Sequence, residues 1–172
     1  MSKSSAAPVF KIESVTVSES PVRLRLPFRF GLITLTHAPQ AFVFVTLRFA
    51  DGQSVTGVSA SMLVPKWFDK APDRDNDTNI QHLRQAINLT ATAYQSEPEP
   101  LTAFALHASQ AAAIHRAAAS EQINPLTAGF GPALLDAAIA DAVGQHTRQS
   151  CYSLLKHNLR GLAPAQLLAE FE

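Results

Sequence analysis

Asp73, Asp75 and Asp77 alternate as the first ligands of a calcium-binding loop do, with each second carboxylate turned toward one centre. Such a loop also needs glycine at its sixth position and glutamate at its twelfth. Here those positions hold Thr78 and Arg84, so the three aspartates read as a solvated loop that caps the helix after it. Gly57-Val58-Ser59-Ala60-Ser61 is a near miss of the G-x-S-x-G elbow that exposes a nucleophilic serine. The last glycine is absent and no strand-to-helix turn is expected there, which leaves Ser59 and Ser61 as hairpin residues and gives a serine hydrolase using His115 little support. His115 stands eleven residues after Phe104. At about 100° per residue it returns to the same helical stripe and is expected to pack with one hydrogen-bond partner. Asp136 and Asp141 share a helix, but a spacing of five sends them to different faces, so they cannot work as a carboxylate pair and should serve the structure. There is no H-E-x-x-H, no cysteine at zinc spacing and no glycine-rich phosphate loop.

The composition narrows the class. The 172 residues suit one domain, and at 47% hydrophobic and 16% charged they can build a core. Lys+Arg and Asp+Glu both number 14, so no net charge draws the chain to nucleic acid or to an anionic membrane. Cys151 is the single cysteine, which excludes an internal disulfide and fits a reducing compartment. The first residues do not resemble a secretion signal and no run of about 18 apolar residues is present, so the expected location is the cytoplasm.

The elements that must position any site come in two blocks. Lys11 to Val17 and Val22 to Leu26 alternate as strands, and Ala41 to Phe49 is the strongest strand, rich in β-branched and aromatic residues. Asp51-Gly52 is a turn signal, and Ser54 to Ala60 returns as a shorter strand. After a loop from Leu63 to Asn76, helical spacing predicts a helix from Asp77 or Thr78 to Ser96 and a second from Leu101 to Ala119. A third, nearly all apolar, begins near Gly131-Pro132. Shorter helical pieces are expected at Ser150 to Leu155 and Leu162 to Phe171. Strands first and helices afterwards predict an α+β fold, a three- to four-stranded antiparallel meander followed by a bundle of three or more helices.

The order of these segments carries a resemblance. Leu26-Pro27-Phe28-Arg29-Phe30-Gly31 precedes a strong strand that ends in Asp51-Gly52, with Gly57 beyond. Further on come the small-residue helix Ala133-Leu134-Leu135-Asp136-Ala137-Ala138-Ile139-Ala140-Asp141-Ala142-Val143-Gly144 and then Cys151-Tyr152-Ser153-Leu154-Leu155. Together they resemble the N-terminal capping domain of the enolase superfamily, in its mandelate racemase and muconate lactonizing enzyme branch. The likeness covers about Lys11 to Leu155. It departs where the family continues its hairpin as Gly-x-Gly-Glu and this chain has Gly57-Val58-Ser59-Ala60.

The resemblance implies a division of labour. Residues 1–10 would be a disordered tail, 11–155 the capping domain and 156–172 the start of a linker toward a missing (β/α)₈ barrel of about 200 further residues. That barrel, as a domain or a separate chain, would be the partner; it would hold the Mg²⁺ and the general bases of a racemase, dehydratase or cycloisomerase, and this chain would carry no cofactor and be inactive alone. Two loops, Pro27 to Thr36 and Ser59 to Phe68, would shape the pocket and exclude water. The resemblance assigns Phe28, Phe30, Leu32, Ile33, Met62 and Trp67 to its apolar wall, and Arg29, His37 and Lys66 to a substrate carboxylate. An uncovered interdomain surface would favour a homo-oligomer. The alternative is a stand-alone ligand- or partner-binding α+β module, with its pocket between the Trp67 loop and His115.

Overall fold

The computed structural model describes residues 6–31 and 33–166. Three strands, β1 (Phe10–Phe30), β2 (Ile33–Phe49) and β3 (Ser54–Met62), form an antiparallel sheet in the order β1-β2-β3. Five helices follow: α1 (Asn76–Gln95), α2 (Ala103–Ser120), α3 (Pro125–Ala128), α4 (Phe130–Thr147) and α5 (Cys151–Lys156), with a 3₁₀ turn at Pro164–Gln166. The architecture is the α+β arrangement expected, with three strands rather than four.

The two expected strands before Pro27 are one strand of 21 residues. Pro21 does not end it because it faces Pro39 across the ladder. β1 is an edge strand, where a residue without an N–H costs no ladder bond on the open side. The segment from Leu24 to Pro27 bulges between the pairs Arg23–His37 and Phe28–Leu35, and pairing then resumes to Phe30–Ile33. Pro27 to Thr36, expected as a loop, is therefore the end of a hairpin whose turn includes Gly31. β3 stops opposite Gln40, so the last part of this hairpin has no third strand beside it.

The core forms because β2 alternates. Ala41, Val43, Val45, Leu47 and Phe49 are buried on one face against Leu135, Ile139 and Val143 of α4. Two glycines let α4 lie this close. A β-carbon on Gly57 would stand 2.0 Å from the Ala138 carbonyl oxygen, and one on Gly131 would stand 2.1 Å from that of Ala86 in α1. With the turn before it, α4 is long and apolar enough to cross a membrane, but 61% of that stretch is buried inside the fold. Its apolar surface faces the sheet and α1.

Helix starts follow capping chemistry, and they shift two of the expected boundaries. The α1 cap is Asp75, not Asp77 or Thr78: its Oδ1 accepts from the Thr78 amide at 2.7 Å. Asn124 likewise accepts from the Thr127 amide and starts α3. His115 is exposed, because the buried stripe of α2 runs through Leu106, Ile114 and Ala118, one residue round from it. Packing also continues past Leu155. Leu159 joins the core and the Arg160 carbonyl accepts from the Phe104 amide. The amphipathic piece expected to Phe171 lies largely outside the described residues.

Candidate functional site

The hairpin tip and the segment after β3 meet at one end of the sheet. Leu63 anchors that segment with no exposed surface, and its amide donates to the Pro39 carbonyl at 2.8 Å. From there the chain turns through Lys66, whose φ of 61° lies in the left-handed region. A non-glycine residue stays in that region only where its surroundings hold it. Here the Lys66 amide donates to Asn79 Oδ1 at 2.8 Å, and its ammonium donates to the carbonyls of Ala71, at 2.7 Å, and of Arg74. The turn presents Trp67, which meets Phe30 of the hairpin edge-on with ring centres 5.0 Å apart. Phe28 lies 5.7 Å from Phe30 and extends the aromatic cluster.

Two concave surfaces flank the cluster. The larger, a cleft of about 1010 Å³, is lined by Phe30, Ile33 and Trp67 together with Lys66, Lys70 and Arg74. The smaller, about 450 Å³, is apolar and runs past Leu26, Phe28, Met62 and Trp67. Trp67 and Phe28 each remain 51% exposed and Leu26 72%, so the aromatic edge stands open to solvent.

The cations around the cleft differ in how they are held. Arg74 donates to Asp69 at 2.7 Å and to the Gln122 carbonyl at 3.0 Å, and its Nη1 lies 3.2 Å from His82 Nδ1. Burial, and then the Arg74 charge, hold the His82 imidazole below its ordinary pKa. Asp69 has its carboxyl pulled down: burial opposes this, but the Ala71 amide and Arg74 outweigh it. Lys70 is exposed and, among the described residues, has no acceptor.

Of the residues assigned from sequence, Phe30, Ile33, Lys66 and Trp67 line the large cleft, and Phe28 and Met62 line the smaller one. His37 lies apart, beside Arg23 and Pro39. Arg29 is exposed on the outer hairpin opposite Thr34 and lines neither surface. Leu32 lies outside the described residues. Lys70, Arg74 and Asp75 were not singled out for the cleft. Their signal was present only as charge density in Asp69-Lys70-Ala71-Pro72-Asp73-Arg74-Asp75, since spacing does not say which loop charge turns inward.

A second polar cluster sits between helices. Asp136 accepts from the Tyr94 hydroxyl at 2.9 Å through one oxygen, and His107 Nδ1 lies 2.9 Å from the other. The Asp136 contact raises the His107 pKa against the opposing effect of burial, while burial and then Asp136 push the Tyr94 hydroxyl far above its usual range. Asp141, on another face of α4, accepts from the Val58 amide at 2.9 Å. Ser59 donates to the Leu134 carbonyl at 2.7 Å. These groups join α1, α2, α4 and β3, and none faces the cleft. Among the described residues no three His, Cys, Asp or Glu side chains converge on a point, so the donor set does not fit a metal ion and no step through Mg²⁺ is derived for this chain.

Two solved structures share this fold. An enolase from Bradyrhizobium, solved with magnesium and mandelic acid, matches with a TM-score of 0.55 and 19% identity over 86% of this chain and 35% of that one. An enolase from alpha proteobacterium bal199, solved with bound magnesium, matches with a TM-score of 0.53 and 14% identity over 85% and 34%. This chain has an enolase-type fold. It spans about a third of the length of the solved structures it matches. No family model matches the chain. No curated protein matches it either. In the enolase-type fold seen here, the cleft and its aromatic edge occupy the end of the sheet where β1 and β2 run beyond β3.

Proposed function

We propose that this chain is the capping domain of an enolase-superfamily enzyme of the mandelate racemase and muconate lactonizing branch. It closes over the mouth of a (β/α)₈ barrel and contributes the loops that choose the substrate. The observation that carries this reading is the meeting of Phe30 and Trp67. Two segments separated by more than thirty positions build one open aromatic edge beside a cleft. An edge of that kind gains by being covered, at roughly 25 cal/mol for each Å² of apolar surface removed from water. The barrel supplies the metal, the bases and the acids. The cap supplies shape and excludes water, which strengthens the electrostatics of the closed site.

The test is exchange of the α-proton of mandelate in D₂O with Mg²⁺, followed by NMR. The chain alone should catalyse none. Fused in front of the barrel of the Bradyrhizobium enolase, it should give a folded enzyme whose preference among α-hydroxy acids changes with Phe30→Ala and Trp67→Ala. Exchange by the chain alone would sink the reading, as would a folded graft whose preferences ignore both substitutions.

A stand-alone binding module is the second reading, favoured by one observation: the cleft is bounded by this chain's own residues. Thermal shift against small organic acids separates the two, since a free-standing binder responds with neither Mg²⁺ nor a second chain present.

A further inference from the structure

Three cations line the large cleft, but two are already engaged. The Lys66 ammonium donates to the carbonyls of Ala71 and Arg74, which ties the loop to itself. Arg74 is held by Asp69 and the Gln122 carbonyl. Moving either toward a ligand would strip half-buried acceptors, at Ala71 and Arg74 for Lys66 and at Asp69 for Arg74, of their donor, at a cost comparable to what the ligand returns. Lys70 is exposed, lines the same cleft and, among the described residues, has no acceptor to give up. The only carboxylate on the lining among the described residues, Asp75, accepts from the Thr78 amide at 2.7 Å. The apolar part of the lining is Phe30, Ile33 and the Trp67 indole.

We infer that the cleft binds an organic acid with an apolar, ring-sized body against Phe30 and Trp67 and an anionic group that meets Lys70, not Lys66. Lys70 is the specificity-determining cation, and Lys66 is a positioning residue that holds Trp67 in place. This deepens the capping-domain reading and rests on it for the substrate class. Within the cleft the two lysines sit on one short loop, yet only one is chemically available. The ammonium that keeps the backbone in a left-handed turn cannot also serve a ligand.

The full chain provides its own reporter, since Trp67 is its single tryptophan. Phenylacetate and benzyl alcohol, titrated against Trp67 fluorescence, share a ring and differ in charge. Phenylacetate should bind the tighter, and Lys70→Ala should reduce that preference by about two- to fivefold, as for a partly solvated ion pair. Lys70→Glu should reverse it, so that benzylamine binds better than phenylacetate. Lys66→Met should weaken both neutral and anionic probes by a similar factor, because it loosens the wall they share. The inference is overturned if Lys70→Ala leaves the preference unchanged, if Lys66→Met abolishes the preference alone, or if neither probe perturbs Trp67. None of these titrations involves a barrel, so failure of the barrel graft with an intact Lys70 effect would discard the capping reading and leave the cleft's chemistry standing.

Discussion

Gly57 of β3 lies against Ala138 of α4 so closely that a β-carbon on Gly57 would sit 2.0 Å from the Ala138 carbonyl oxygen and 2.4 Å from the Ala142 amide nitrogen. Both obstacles are helix backbone, which cannot rotate out of the way. The contact sets the distance between the sheet and the helix that covers its core face. The site at the end of the sheet depends on that spacing only indirectly, so stability and binding should respond differently to changes here.

Gly57→Ala should destabilise the fold by about 2 kcal/mol or more, because α4 must move away from the sheet and open gaps around Val45 and Ile139. Gly131→Ala should behave similarly against Ala86 and Thr90 of α1. Urea unfolding checks both: the midpoint should fall with little change in slope. Unchanged midpoints would mean that the helix spacing is softer than the geometry requires.

The Tyr94, His107 and Asp136 cluster should make stability depend on pH above neutrality. Asp136 raises the His107 pKa in the folded state. Such a group stabilises the fold fully below its ordinary pKa of 6.5, and that contribution fades as pH rises through the elevated folded value. The melting temperature should therefore drop as pH rises above 6.5, and His107→Gln should flatten the decline. A decline of the same size in the variant would assign it to other groups, with Arg160 the nearest charge opposing protonation.

Tyr94→Phe removes a hydrogen bond from a nearly inaccessible side chain to a carboxylate. A loss of about 1–3 kcal/mol is expected, in the range of hydrogen bonds to charged groups. Thermal or urea denaturation near pH 7 measures it. No loss would mean that water replaces the hydroxyl at Asp136.

Glu19 and Arg84 form a two-pronged ion pair between β1 and α1, with both bonds at 2.7 Å. Hydrogen bonding from Arg84, followed by its charge, lowers the Glu19 pKa in spite of desolvation. The stabilisation is thus present above the ordinary carboxylate pKa of 4.5 and lost as pH falls through the lowered folded value. Both partners are partly solvated, so Glu19→Gln should cost only about 0.5–1 kcal/mol at neutral pH. The gap between variant and wild type in urea midpoint should narrow as pH falls below 4.5.

Lys66→Met should act locally. Without the ammonium the carbonyls of Ala71 and Arg74 lose a donor, and the left-handed turn before Trp67 loses its support. Proteolytic cleavage between Lys66 and Arg74 should accelerate several-fold, while hydrogen exchange in α4 stays as in the wild type. Uniform acceleration across the chain would show that the loop is part of the global folding unit.

Local chemistry determined much of this protein from sequence alone. The alternation of Ala41 to Phe49, the Asp51-Gly52 turn, the buried helix around Leu135 and the order of strands before helices are properties of short segments, and each could be read because its period or turn residue acts over a few positions. Folding brings Phe30 and Ile33 to one cleft with Lys66 and Trp67, far from them in the chain. Tertiary structure decided the rest. Pro21 interrupts nothing because Pro39 stands opposite it, a pairing that spacing along the chain does not reveal. His115 faces solvent because the neighbours of α2 select the Ile114 stripe. His107 finds Tyr94 and Asp136 across three helices. Lys66 and Lys70 look equivalent as residues, and what distinguishes them is that folding places the carbonyls of Ala71 and Arg74 around Lys66, whereas Lys70 has no acceptor among the described residues. A side chain's chemistry is local, but its availability depends on which distant groups the fold has already brought to it.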